Sequence, residues 1–283
     1  MPEGHTIHRL SRDLKQDLKN IFVAASSPQG RFAEGARLID GTELIRSEAW
    51  GKHLFLSFGH QQSVTAFLHI HLGLIGKFRP KTFDTETKES IRLRLKGNKS
   101  FWDLTGPQDC RLIDKSEYFH LIERLGPDPL RRGSNVKDFQ ASLVQKKVPI
   151  GAALLDQSIV AGIGNVYRAE FLFLHGINPN REASKVSTSE AANLWFTFQE
   201  LLRIGVRLNR IVTVSQDDGG ATPGRLPRKR SLYVYKREGL PCRRCSTCFR
   251  LCPGPARRQG EGHSARPVEG GEGGSTGVFG CPA

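Results

Sequence analysis

The sequence predicts an α+β protein in which an N-terminal β-sandwich domain precedes a helical domain and a cysteine-bearing C-terminal region. Three observations lead there. Between about residues 21 and 113, short runs alternate apolar and polar residues and are broken by Gly and Pro. From about Lys115 the apolar repeat lengthens to that of helices, and five of the six cysteines lie at or beyond residue 242.

The elements follow in chain order. Ile7, Leu10, Leu14 and Leu18 recur at helical spacing with Arg9, Arg12, Lys15 and Lys19 between them, so an amphipathic helix starts close behind the N-terminus. Pro2 and Glu3 at its head are thereby anchored, whereas a chain end is ordinarily loose. Strands are expected in IFVAAS, TELIRSEAWGKHLFLSF, SVTAFLHIHL, SIRLRLKG and KSFWDL. In SIRLRLKG, Ile91, Leu93 and Leu95 alternate with Arg92, Arg94 and Lys96, the pattern of a strand with one wet face. Helices are expected in EYFHLIERLG, DFQASLVQ, IGAALLDQ, NVYRAEFLFLHG and STSEAANLWFTFQELLRIGVRLN.

Within IGAALLDQSIVAGIGNVYRAEF an apolar helix should end before the glycines and another begin at about Asn165. Gly162 and Gly164 allow close backbone approach, and the free amides opening the second helix make a site suited to phosphate, with Asn165 capping that helix and facing the ligand. DDGGATPGRLPRKR reads as a basic loop and LYVYKREG as a strand leading to the cysteines. Beyond Pro253 the composition is that of a disordered tail. The boundaries so drawn are 1–114 for the sandwich domain, 115–224 for the helical domain, 225–252 for the cysteine region and 253–283 for the tail.

Charge narrows the partner. Lys and Arg number 42 against 28 Asp and Glu, a net +14, and such an excess attracts polyanions, nucleic acid first among them. No apolar run reaches the roughly 18 residues that span a bilayer, and the charged N-terminus lacks a secretory apolar segment. A cytoplasmic, nucleoid-associated monomer is expected. In that reducing compartment the crowd of cysteines suggests metal in preference to disulfides.

Removal of Met1 would leave Pro2 as an N-terminal secondary amine beside the carboxylate of Glu3. An α-amino group has a pKa near 8 and is partly neutral at physiological pH, whereas a lysine near 10.4 is mostly protonated, so Pro2 is the better nucleophile. Two other clusters invite chemistry. His69 and His71 point to one side of a strand, as in some metal hydrolases, although no carboxylate of metal-site type accompanies them in sequence. Cys242, Cys245, Cys248 and Cys252, followed by Pro253, have the spacing of an iron–sulfur ligand run, and the same four thiolates would also serve zinc.

PEG at the start, GKHLFLSF, HLGLIGKF and GIGN occur in an order, from Met1 to about Cys245, that resembles the formamidopyrimidine-DNA glycosylase / endonuclease VIII family. The resemblance implies a β-sandwich domain, a helix–two-turn–helix domain and a zinc-finger hairpin. It implies a bifunctional glycosylase and abasic-site lyase of base-excision repair, acting on double-stranded DNA with oxidised bases or abasic sites and cutting by β,δ-elimination. Pro2 would be the nucleophile, Glu3 the general acid–base and Lys52 a phosphate-contacting, proton-donating residue. His71 and Asn165 would contact DNA, and Leu74 would fill the gap left by the extruded nucleotide. Zinc would be held by Cys242, Cys245, Cys248 and Cys252.

The sequence also departs from the family. Thr6 stands where a second glutamate is usual, and DLTGPQDC replaces an Arg-x-Phe element of the guanine-lesion enzymes, which points to the endonuclease VIII-like branch and oxidised pyrimidines. After PCRRC the chain reads STCFRLCPGPARRQGEG where a hairpin with an arginine and a second Cys-x2-Cys is expected, as though the reading frame had shifted. The finger is thus truncated or atypical, and a non-catalytic protein that recognises damaged DNA is the rival reading.

Overall fold

The computed structural model describes residues 2–83, 85–98 and 100–246, together with the backbone of 250–251 and 279–280. The apolar stripe near the N-terminus forms α1 (Gly4–Leu18), with Ile7, Leu10, Leu14 and Leu18 all buried. Eight antiparallel strands follow: β1 (Phe22–Ser26), β2 (Thr42–Trp50), β3 (His53–His60), β4 (Ser63–His71), β5 (Lys77–Lys81), β6 (Ile91–Lys96), β7 (Phe101–Thr105) and β8 (Asp109–Ile113). Their hydrogen-bonded order is β5-β7-β6-β1-β2-β3-β4-β8.

β1 serves two ladders. Phe22 and Val23 pair with β2, and Ala24 to Ser26 pair with β6, so one short strand joins both halves of the sheet. Leu54, Leu56 and Ile70 from one half and Leu93, Leu95 and Trp102 from the other share a single core with the leucines of α1. Each such side chain contributes about 1.5–3 kcal/mol on burial. A helix α2 (Ala33–Ile39) and strands β5 and β8 are additions to the predicted set. β5 carries Pro80, which is tolerated because β5 lies at the edge and pairs only with β7.

The helical part comprises α3 (Lys115–Glu123), α4 (Val136–Val144), α5 (Ile150–Ala153), α6 (Asn165–Leu174), α7 (Thr188–Leu208) and α8 (Gln216–Gly219). Its core gathers Phe139, Tyr167, Phe171, Trp195, Phe198 and Leu202. A capping box formed by Ser187 and Glu190 starts α7. At the far end, Arg9 Nη1 from α1 donates to the carbonyls of Val206 and Arg207 at 3.3 and 3.0 Å, so α1 touches both the sheet and the helices.

Three local expectations are corrected. The helix predicted through IGAALLDQ is a single turn, α5, after which the chain runs in turns to Gly164. Asn165 is not the cap of α6: Gly164 occupies that position, and Asn165 is the first helical residue. LYVYKREG is not a strand, because the backbone N–H groups of Tyr233, Val234 and Tyr235 are all taken by the side chain of Glu170 and cannot join a ladder.

Candidate active site

Glu3 organises the site. It stands at the N-cap of α1 yet makes no side-chain bond to its own helix and is wholly buried. Its carboxylate instead crosses to the start of α6, where Oε2 accepts the N–H of Gly164 at 2.9 Å and of Tyr167 at 3.4 Å, and Oε1 accepts that of Val166 at 2.9 Å. Free amides at a helix N-terminus attract an anion, and here the anion is part of the chain. Glycine is required on the facing side: a Cβ on Gly164 would lie 2.5 Å from Glu3 Cδ. Gly162, at φ +95°, packs against Gly4, whose N–H donates to the Gly162 carbonyl at 2.8 Å.

Lys52 follows Gly51 in the turn between β2 and β3. Burial pushes its ammonium below the usual lysine range, and the charge of Glu3 partly restores it. Burial likewise pushes the Glu3 carboxyl up, opposed by the Val166 N–H, Lys52 and the other two amides. A carboxyl raised and an amine lowered in one electrostatic neighbourhood are suited to passing protons. The turn is held by Asp128, which is 2% exposed. Its Oδ2 accepts the Gly51 N–H at 2.7 Å and lies 2.8 Å from His8 Nε2 of α1, and Oδ1 accepts the Leu130 N–H at 2.9 Å. Sequence reasoning missed Asp128. Its only trace is its place in GPDPL, and its partners are distant in sequence.

Pro2, Lys52, His71, Leu74 and Gln108 line one small pocket of about 140 Å³. Burial lowers the His71 pKa while Gln108 opposes that shift. The pocket adjoins a groove of about 920 Å³ that also has Pro2 and Leu74 in its wall, with Thr6, Arg9, Arg79 and Arg228. Leu74 is 71% exposed and Ile75 77%, so the loop after β4 presents two large apolar side chains to solvent at the groove. Ile75 was not singled out from the sequence. Asn165, beside the Glu3 contact, has a buried Oδ1 without a hydrogen-bond partner among the described residues.

The His-x-His pair does not have metal-site geometry. His69 Nδ1 lies 3.0 Å from Asp109 Oδ2, and His69 Nε2 lies 2.9 Å from His53 Nδ1. Both ring nitrogens of His69 are engaged, and Asp109, on neighbouring β8, supplies the carboxylate that the sequence did not reveal. The His53 and His69 rings stack at 5.1 Å and the His53 and His71 rings lie 5.0 Å apart, so the cluster buttresses His71.

At the cysteines, Cys242 is buried, and its Sγ accepts the Arg244 N–H at 3.4 Å while its carbonyl accepts the Ser246 N–H at 3.0 Å. This is a turn suited to a pair of thiolates with Cys245, and it fits half of a zinc site. Cys248 and Cys252 lie outside the described residues. Among the described residues no group of three or more His, Cys, Asp or Glu could hold a metal. Cys110 is unrelated: burial pushes its thiol up to about 12, so it is an inert core residue.

Residues 1–114 match the family profile described as the formamidopyrimidine-DNA glycosylase N-terminal domain, and residues 125–217 match its H2TH domain. The chain is 40% identical over 255 residues to Endonuclease 8 1 of Mycobacterium tuberculosis, covering 88% of this chain and 94% of that one. It is 30% identical over 257 residues to the formamidopyrimidine-DNA glycosylase of Desulfitobacterium hafniense, covering 87% and 91%. Its fold is similar to that of Lactococcus lactis formamidopyrimidine-DNA glycosylase non-covalently bound to an AP site containing DNA, with a TM-score of 0.72, 22% identity and coverage of 99% and 98%. No helix among the described residues is long and apolar enough to cross a membrane.

The two matched domains and the named relatives make this a DNA glycosylase of base-excision repair with abasic-site lyase activity. The chain belongs to the formamidopyrimidine-DNA glycosylase / endonuclease VIII family.

Proposed function

We propose that the chain excises oxidised bases, pyrimidines above all, from double-stranded DNA, and that it cleaves abasic sites through an iminium formed by Pro2. The observation that carries this reading is the capture of Glu3 by the α6 amides, with Pro2, Lys52 and His71 around one pocket. Once Met1 is removed, the Pro2 nitrogen bonds to C1′ as the glycosidic bond breaks, and the base leaves with the bonding electrons and takes a proton. Glu3 takes the N–H proton of the resulting ammonium and passes it to the sugar ring oxygen as the ring opens, leaving an iminium at C1′. Loss of the C2′ proton then drives out the 3′ phosphate, and a second elimination releases the 5′ side.

Lys52 and His71 meet the phosphates at the lesion, Asn165 donates through its Nδ2 to the DNA backbone, and Leu74 enters the gap left by the extruded nucleotide, whose unstacking costs a few kcal/mol. The arrangement divides into a catalytic domain over 1–114, a DNA-binding helical domain over 115–224 and a finger-like region over 225–252. Cys242 and Cys245, with Cys248 and Cys252, would hold zinc, which would brace the finger and supply no step of the reaction.

Borohydride trapping on a duplex with an abasic site tests this. A covalent adduct is expected on the peptide that begins with Pro2, and an uncleaved N-terminal tag should abolish it. Undiminished adduct with the tag in place would refute the proline mechanism. Binding should weaken steeply with salt, since each phosphate neutralised releases counterions.

A further inference from the structure

Glu170, in the middle of α6, is fully buried and has no part in the chemistry above. Its Oε2 accepts the Tyr233 N–H at 2.7 Å and the Thr213 hydroxyl at 2.5 Å. Its Oε1 accepts the N–H groups of Val234 and Tyr235, each at 2.8 Å. Hydrogen bonds to a charged acceptor are the strong ones, and four of them converge here from two separate stretches of chain. A second layer lies outside the first. The Tyr233 hydroxyl donates to Asp218 at 2.5 Å, Arg244 Nε donates to the same carboxylate at 3.3 Å, and Arg243 Nε donates to the Leu232 carbonyl at 3.0 Å. Val212, Val214, Leu226 and Val234 pack beneath, together with Cys242. None of these contacts needs a metal. The same stretch carries Arg228, which lies in the wall of the groove with Pro2 and Leu74.

We propose that Glu170 is a positioning residue that docks the segment from Thr213 to Arg244 on α6 independently of any metal, and so sets Arg228 in the groove to grip a DNA phosphate. The grip rests on the reading of the groove as the DNA site; the docking does not. A chain with an altered finger therefore keeps the base of that finger in place.

Hydrogen exchange of the full chain, read by mass spectrometry, tests the docking without DNA. Amides 233–235 should stay protected after a chelator has removed bound metal, and should exchange at least about tenfold faster in Glu170→Gln, which offers a donor where an acceptor is needed. Thr213→Val, which removes one donor, should give a smaller change in the same peptide and serves if the first variant does not fold. Loss of protection on chelation alone would overturn the proposal. On a duplex with a tetrahydrofuran abasic analogue, Glu170→Gln should bind about tenfold more weakly, with a salt slope shallower by about one, and trapping at saturating DNA should hold within about twofold. Arg228→Ala should reproduce that slope and add nothing in the Glu170→Gln background, whereas additive losses would refute the link. If wild type does not bind the duplex, the DNA reading fails while the exchange result still decides the docking.

Discussion

Replacing Gly164 by alanine is expected to cripple the chemistry while leaving the grip on DNA nearly intact. The new Cβ would sit 2.5 Å from Glu3 Cδ and 2.6 Å from Oε1. Carbon atoms rest about 3.5 Å apart, so the carboxylate must retreat by about 1 Å. That retreat stretches the two 2.9 Å bonds from Gly164 and Val166, which hold Glu3 in place. An imperfectly paired buried acceptor costs about 1–3 kcal/mol of stability, and a displacement of about 1 Å at a reacting group costs about 10²-fold in rate. Single-turnover borohydride trapping on an abasic duplex measures the rate, urea unfolding the stability and binding of an abasic analogue the affinity. The reasoning fails if the folded variant traps within about threefold of wild type.

Asp128→Ala should leave the Gly51 N–H buried without its acceptor, cost about 1–3 kcal/mol in urea unfolding and slow trapping as the Lys52 turn loosens; unchanged stability would contradict the bracing role. Leu74→Ala should change stability by less than about 0.5 kcal/mol, since the side chain is 71% exposed, yet slow base excision more than cleavage of a preformed abasic site. Equal slowing of both reactions would argue against a wedge. His5 lies edge-on to Tyr167, and burial pushes its imidazole down to about 3. The unfolded chain takes up this proton near the ordinary value of about 6.5 and the folded chain does not, so stability should fall as pH drops below that value, by at most about 1.4 kcal/mol per pH unit. Urea midpoints at neutral and mildly acid pH should show a weaker dependence in His5→Phe, and an unaltered slope would refute the assignment.

Local patterns were legible where a residue's partners are near in sequence or repeat with a fixed period. The α1 stripe, the alternation in β6 and the start of α6 at Asn165 read correctly, although the cap of α6 did not. β5 escaped notice because KFRPK has a single buried residue, Phe78, and contains a proline. LYVYKREG misled because its alternation is real, but a distant carboxylate has claimed its amides. Pro2, Lys52, His71 and Leu74, named from the family resemblance, line one pocket, whereas Asp128, Asp109 and Glu170 were invisible. An aspartate or glutamate carries no mark in sequence of the backbone amide it will meet across the fold.

The three amides that seat Glu3 lie 161 to 164 positions further along the chain. A nascent polypeptide emerging from a ribosome thus displays its leading proline long before the support for the neighbouring carboxylate has been synthesised. On the proline mechanism proposed above, the amine made among the first is armed among the last. Translation that stops after the sheet would release a fragment with the proposed nucleophile but without the seat of Glu3, and such fragments should bind sugar aldehydes no better than a short peptide with the same beginning.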